Sequence, residues 1–128
     1  MMLPTIFIAP SSKGGRGVFA DANFKSGTVI EISPVIILSS RDRITIEGTK
    51  LYNYVFEWGA AHKMGALGMG YISMYNHDYA SNCDYEMDFD AGTITIKTVR
   101  TIKKGEELCI NYNADPNGKK KVWFDKKK

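Results

Sequence analysis

Cysteine is scarce in this chain: Cys83 and Cys109 are the only two in 128 residues. Two thiols are too few for a disulfide framework or a four-cysteine zinc site. A reducing, cytoplasmic setting is therefore expected, or a nuclear one if the source is eukaryotic or viral. Long apolar runs are also missing, since nothing approaches the ~20 residues a membrane span needs. The opening MMLPTIFIAPSSKGG has no basic segment ahead of its short apolar run, which argues against a signal peptide. No internal repeat is visible. Neither a strand–GxGxxG–helix nor a GxxxxGK(S/T) pattern occurs, so dinucleotide-binding and P-loop readings fail.

What remains is the composition of one globular domain, 44% hydrophobic and 24% charged. The net charge of +3 is unevenly spread. Residues 119–128, KKKVWFDKKK, hold six lysines and one aspartate, a net of +5. The preceding 118 residues hold 11 Lys+Arg against 13 Asp+Glu, a net of −2. We therefore divide the chain into a domain over 1–118 and a lysine-rich tail over 119–128. A slightly acidic body argues against a nucleic-acid face spread over the domain. At most the tail would make a weak electrostatic contact, and a solvated end is the plainer reading.

Alternating patterns dominate. TIFIA at 5–9, GVFA at 17–20, YNYVFEW at 52–58 and LCINY at 108–112 read as strands. Pro34 should split or kink TVIEISPVIIL at 28–38. SSRDRITIEG at 39–48 suits a short helix with Ser40 as N-cap and Gly48 as its stop. GAAHKMGALGMG at 59–70, with four glycines, reads as an irregular connection. YEMDFD at 85–90 and TITIKTVR at 93–100 form a hairpin around Ala91-Gly92, with Ile94, Ile96 and Thr98 sharing a face. The expectation is a mostly β protein of short strands in several small sheets, with little helix.

One stretch fits none of these patterns. YNHDYASNCDY, residues 75–85, packs two asparagines, one of the two histidines and three tyrosines into eleven positions. It has too little aliphatic surface for an ordinary strand and too many rings for an ordinary solvated loop. Its polar groups need partners. KGGRGVFA at 13–20 places three glycines before or inside a strand, where positive φ or a close backbone approach is tolerated.

Three segments, in order, carry a resemblance. They are Gly14-Gly15-Arg16-Gly17-Val18-Phe19, then Asn76-His77 with Asn82 after four intervening residues, then Gly105-Glu106-Glu107-Leu108-Cys109-Ile110-Asn111-Tyr112. Together they resemble the GxG, NHxxxxN and GEELxxxY signatures of SET-domain lysine methyltransferases, over about residues 5–112. The resemblance implies the SET-domain β-clip fold, small curved sheets with a knot-like C-terminal crossing. It implies S-adenosylmethionine as methyl donor. The backbone around Lys13, Gly15, Arg16 and Gly17, the Asn76 side chain and the His77 backbone would bind it. Asn82 would hold the crossing. Tyr112 would be the catalytic tyrosine and line the donor site. Tyr54 and Tyr85 would line the lysine channel. Ile110 stands where an aromatic often governs how many methyl groups are added, which leaves that number open. Zinc-binding cysteine flanks are absent, so no metal is expected. Trp123 or Phe124, in the apolar island Val122-Trp123-Phe124, would close the donor site.

The implied activity is transfer of a methyl group to a lysine ε-amine in a basic protein such as a histone. Lysine has a pKa of about 10.4, so about 0.1% or less is nucleophilic at neutral pH. A narrow apolar channel beside a sulfonium lowers that pKa, leaving the protein to align and desolvate. Glu57, Asp84, Glu86, Asp88 and Asp90 would favour a basic peptide along a sheet edge. The alternative is an inactive SET-fold module that binds a basic peptide or partner protein without reacting.

Overall fold

The computed structural model describes residues 1–112. Trp123, Phe124 and the lysine tail lie outside the described residues. Strands β1 (Ile6–Pro10) and β2 (Arg16–Ala20) form an antiparallel hairpin. β3 (Val29–Leu38) leads to helix α1 (Ser40–Glu47) and a 3-10 turn at Lys50–Tyr54. β4 (Val55–Trp58) and β5 (Met64–Gly68) follow, then a short 3-10 turn at Ile72–Met74 and β6 (Asn76–His77). β7 (Cys83–Asp88), β8 (Thr93–Thr98) and β9 (Glu107–Ile110) complete the described elements.

Two sheets result. The first runs β1-β2-β9-β6 and the second β4-β5-β3-β8-β7. In the second, both edge strands are brought together. Phe56 of β4 meets Tyr85 of β7 with ring centroids 5.4 Å apart, and Trp58 meets Phe89 at 4.9 Å. The sheet is thus curled back on itself. Between the sheets lies a core that includes Val18, Ile30, Ile72, Tyr75, Ile94, Ile96, Leu108 and Ile110, all essentially inaccessible. Ile94, Ile96 and Thr98 do share the buried face of β8, as their alternation requires.

Four local expectations are corrected. β3 is continuous through Pro34, but it changes partner there: residues 29–34 pair with β8 and 35–38 with β5. Lacking an N–H, proline falls where one ladder hands over to another. Residues 52–54 belong to a 3-10 turn, so the strand starts only at Val55. Met64–Gly68 is a strand and not an irregular connection. Its glycines meet close neighbours: a Cβ on Gly65 would come within 2.9 Å of Val55 Cγ1, and one on Gly68 would overlap Ile72. The helix cap is Ser39, one residue before the expected Ser40, with its Oγ accepting from Asp42 N at 3.1 Å. Ser39 lies in extended backbone, as a cap must, whereas Ser40 is already helical.

Candidate active site

The glycine segment closes the β1–β2 hairpin. Gly14 and Gly15 have φ of +119° and +57°, and Ser11 N donates to Gly15 O at 2.9 Å. A side chain at either glycine would meet nothing within 4 Å, so backbone conformation alone requires glycine there. Gly17 differs. It is buried in β2, and a Cβ there would overlap Glu107 Oε2 and stand 2.8 Å from Asn76 Nδ2. Glycine is needed at 17 because those two side chains meet across it.

Glu107 is the hub of this arrangement. Its Oε1 accepts from Ser11 Oγ at 2.7 Å and its Oε2 from Asn76 Nδ2 at 2.8 Å. Asn76 Nδ2 donates as well to Arg16 O at 3.1 Å. Both amide hydrogens are thereby engaged, which turns Oδ1 outward as the acceptor. β6 and β9 pair in parallel, Asn76 beside Cys109 and His77 beside Ile110. The residues after His77 wrap the same strand. Asp78 N donates to Ile110 O at 3.0 Å, and the Asn82 amide donates to Glu107 O and accepts from Cys109 N, both at 2.9 Å. Strand β9 is thus held by β2 on one side and by residues 76–82 on the other.

Beside this crossing lies a cavity of about 500 Å³, lined in part by Lys13, Asp78, Asn82, Glu107 and Cys109. Lys13 Nζ and Asp78 Oδ2 pair across it at 2.8 Å. That contact holds the Asp78 carboxyl below its usual range and lifts the Lys13 ammonium above its own. Burial pushes the Cys109 thiol up to about 12, with Glu107 adding to the effect. The volume falls within the ~300–1,000 Å³ range of small-molecule sites, and its walls carry charges of both signs, which suits a zwitterion.

Tyr112 closes the other flank of the crossing. Its N–H donates to His77 Nδ1 at 3.0 Å, the two rings lie 5.1 Å apart, and its hydroxyl donates to Tyr75 O at 2.7 Å. The resemblance implied only a backbone role for His77; its imidazole also anchors the last described residue. Tyr85 Oη donates to Tyr112 O at 3.3 Å. Burial pushes the Tyr85 phenol up to about 12. The Tyr112 phenol is pushed higher still, by burial first and then by Cys109, Tyr85 and Tyr54. Both stay protonated at physiological pH and serve as neutral hydrogen-bonding groups, not bases.

The tertiary structure therefore gathers Gly17, Arg16, Asn76, His77 and Tyr112 around one crossing, with Lys13 at the neighbouring cavity. Tyr54 and Tyr85 stand beside Tyr112. Ile110 is fully buried in the core, on the face of β9 opposite Cys109. Sequence reasoning missed three participants: Glu107, Asp78 and Tyr75. Glu107 sits inside the quoted GEEL segment, and the other two flank Asn76-His77, so adjacency to the motifs was the available signal.

Comparison with known proteins accords with this geometry. The family model described as SET domain matches residues 15–113. A histone-lysine N-methyltransferase of Schizosaccharomyces pombe, specific for lysine 37 of histone H3, is 37% identical over 120 residues, covering 92% of this chain and 76% of the relative. A crystal structure of a Plasmodium falciparum protein, provisionally assigned as a histone methyltransferase, superposes with a TM-score of 0.69 at 26% identity. That alignment covers 96% of this chain and 99% of the other. Polycomb Repressive Complex 2 of Chaetomium thermophilum, as an inhibitor-bound humanized mutant, gives 0.72 at 20% identity. It covers 88% of this chain and 15% of that one, a likeness of fold alone. With the family model spanning most of the chain and the motif residues converging on one crossing, the chain belongs to the SET-domain family.

Proposed function

We propose that this chain is an S-adenosylmethionine-dependent protein-lysine N-methyltransferase acting on a basic protein such as a histone. The observation that carries the reading is the meeting of Tyr112 with the Asn76-His77 strand, through His77 Nδ1 and the Tyr75 carbonyl. When bound, the donor supplies an electrophilic methyl group on a cationic sulfur. Asn76 Oδ1 suits the ammonium of such a donor, and the Lys13 ammonium suits its carboxylate. The Tyr112 hydroxyl spends its proton on the Tyr75 carbonyl. In this reading the same oxygen serves as the acceptor that orients the target amine. Tyr85 and Phe56 pack ring on ring and, with Tyr54, would wall one side of a lysine channel whose apolar surface disfavours the ammonium form.

The substrate reading rests on charge and on kinship. Glu57, Asp84, Glu86, Asp88 and Asp90 lie on β4, β7 and the turn after β7, beside the paired edges. A lysine-bearing basic segment complements them. A reducing compartment, cytoplasmic or nuclear, suits two free buried thiols. The test is Tyr112→Phe, assayed by labelled-methyl transfer to a histone panel and by calorimetry with S-adenosylmethionine. Donor affinity should stay within about threefold while transfer falls roughly a hundredfold or more. Full turnover by Tyr112→Phe, or no donor binding by the folded parent, would overturn the proposal.

A further inference from the structure

Glu31 is a carboxylate in the wrong place for an ordinary β-protein. It is 1% exposed, yet no lysine or arginine ion pair reaches it among the described residues. Its position has a local cause. β3 shifts register against β8 between Val29 and Glu31, so that Ile30 and Glu31 are both buried in succession. Such an irregularity re-aims a side chain that strict alternation would send outward. Inside, Glu31 Oε1 accepts from Tyr75 Oη at 2.8 Å and Oε2 from Tyr71 N at 2.7 Å. Gly70 makes room, since a Cβ there would overlap Oε2. Both donors belong to the turn that runs directly into β6.

Tyr75 is thus gripped twice. Glu31 holds its phenol, and its carbonyl receives the Tyr112 hydroxyl at 2.7 Å. We infer that Glu31 is a positioning residue for methyl transfer: through Tyr75 it fixes the carbonyl that orients the Tyr112 hydroxyl. This rests on the reading of Tyr112 given above. Desolvation raises the Glu31 carboxyl, opposed by the hydrogen bonds from Tyr75 and Tyr71, so the group is held there at a cost. Glutamine would not replace it. Its Oε1 could still receive the Tyr75 proton, but its NH2 would then face the Tyr71 N–H, donor against donor.

The test uses Glu31→Gln and Tyr75→Phe in the full chain, with tyrosine 13Cζ labelling to read the Tyr112 hydrogen bond directly. The Tyr112 resonance should shift in both variants, and its phenol should titrate at lower pH than in the parent. Single-turnover transfer should drop about tenfold or more, while donor affinity changes by less than about threefold. Combining the two should cost little beyond the worse single, because both cut one chain of contacts. An unmoved Tyr112 resonance in both variants overturns the inference, as does a loss of rate that merely tracks the unfolded fraction. Tyr112→Phe run in parallel separates the two levels. If it turns over normally, the catalytic reading fails; if it is inactive while Glu31→Gln is fully active with an unmoved resonance, only the Glu31 role fails.

Discussion

Substituting Gly17 probes the site through the two side chains that meet across it, Glu107 and Asn76. The added methyl of Gly17→Ala would overlap Glu107 Oε2, stand 2.8 Å from Asn76 Nδ2 and 3.0 Å from Glu107 Cδ. No rotation of the methyl relieves this, so the Glu107–Asn76 hydrogen bond must break or β2 must separate from β9. A hydrogen bond to a charged group contributes about 1.5–3 kcal/mol. At about 4 °C per kcal/mol for a chain of this size, the melting temperature should fall by roughly 6–12 °C. Asn76 would also lose its fixed amide orientation, weakening donor binding by about tenfold, or ~1.4 kcal/mol. Differential scanning calorimetry and donor titration measure the two effects. Gly15→Ala is the comparison: it stands in open space at φ +57°, so left-handed strain alone predicts a cost of ~1–2 kcal/mol and leaves the Glu107–Asn76 contact intact. In Gly17→Ala/Glu107→Ala the overlap with the carboxylate is gone, so the combined loss should be smaller than the sum of the single losses. A Gly17→Ala protein that melts within about 1 °C of the parent and binds donor equally well would refute the crowding argument.

Two further outcomes follow from the charges and thiols. The Lys13–Asp78 pair should stabilise the fold fully between the two unfolded-state values of 3.8 and 10.5. Asp78, held low, loses its contribution as pH falls through its native pKa; Lys13, held high, loses its own as pH rises through its native pKa. Each side chain is 35% exposed, so Asp78→Asn should cost under about 1 kcal/mol at pH 7 by urea unfolding. An equal cost at pH 2 would disprove the assignment. Burial pushes the Cys83 and Cys109 thiols up to about 12, so neither should react with a disulfide reagent at pH 8 until the chain is unfolded. Rapid labelling of either thiol in the folded protein would contradict that burial.

Local alternation and motif order made much of this protein legible. The hairpin of β7 and β8 and the buried face of Ile94, Ile96 and Thr98 follow from short-range pattern. The family was legible too, because three spaced motifs in order name it, and the structure brings Asn76, His77 and Tyr112 of those motifs together at one crossing. Where reading failed, the cause was long-range. Gly65 and Gly68 looked like breakers, but they are strand residues pressed against Val55 and Ile72, neighbours that folding alone supplies. Pro34 looked like a split or a kink, but it marks a change of partner.

By itself the order of residues determined which segments extend, which glycines must turn, and which three stretches share a family. Only the tertiary structure decided why Gly17 must be glycine, which way the Asn76 amide points, and that Glu31 turns inward toward Tyr75. Those outcomes depend on contacts between residues 31 to 96 positions apart, such as Ser11 with Glu107 at a separation of 96 and Glu31 with Tyr75 at 44. Side-chain period reports one strand's own faces, whereas a hydrogen bond between distant strands exists only once the chain has crossed itself.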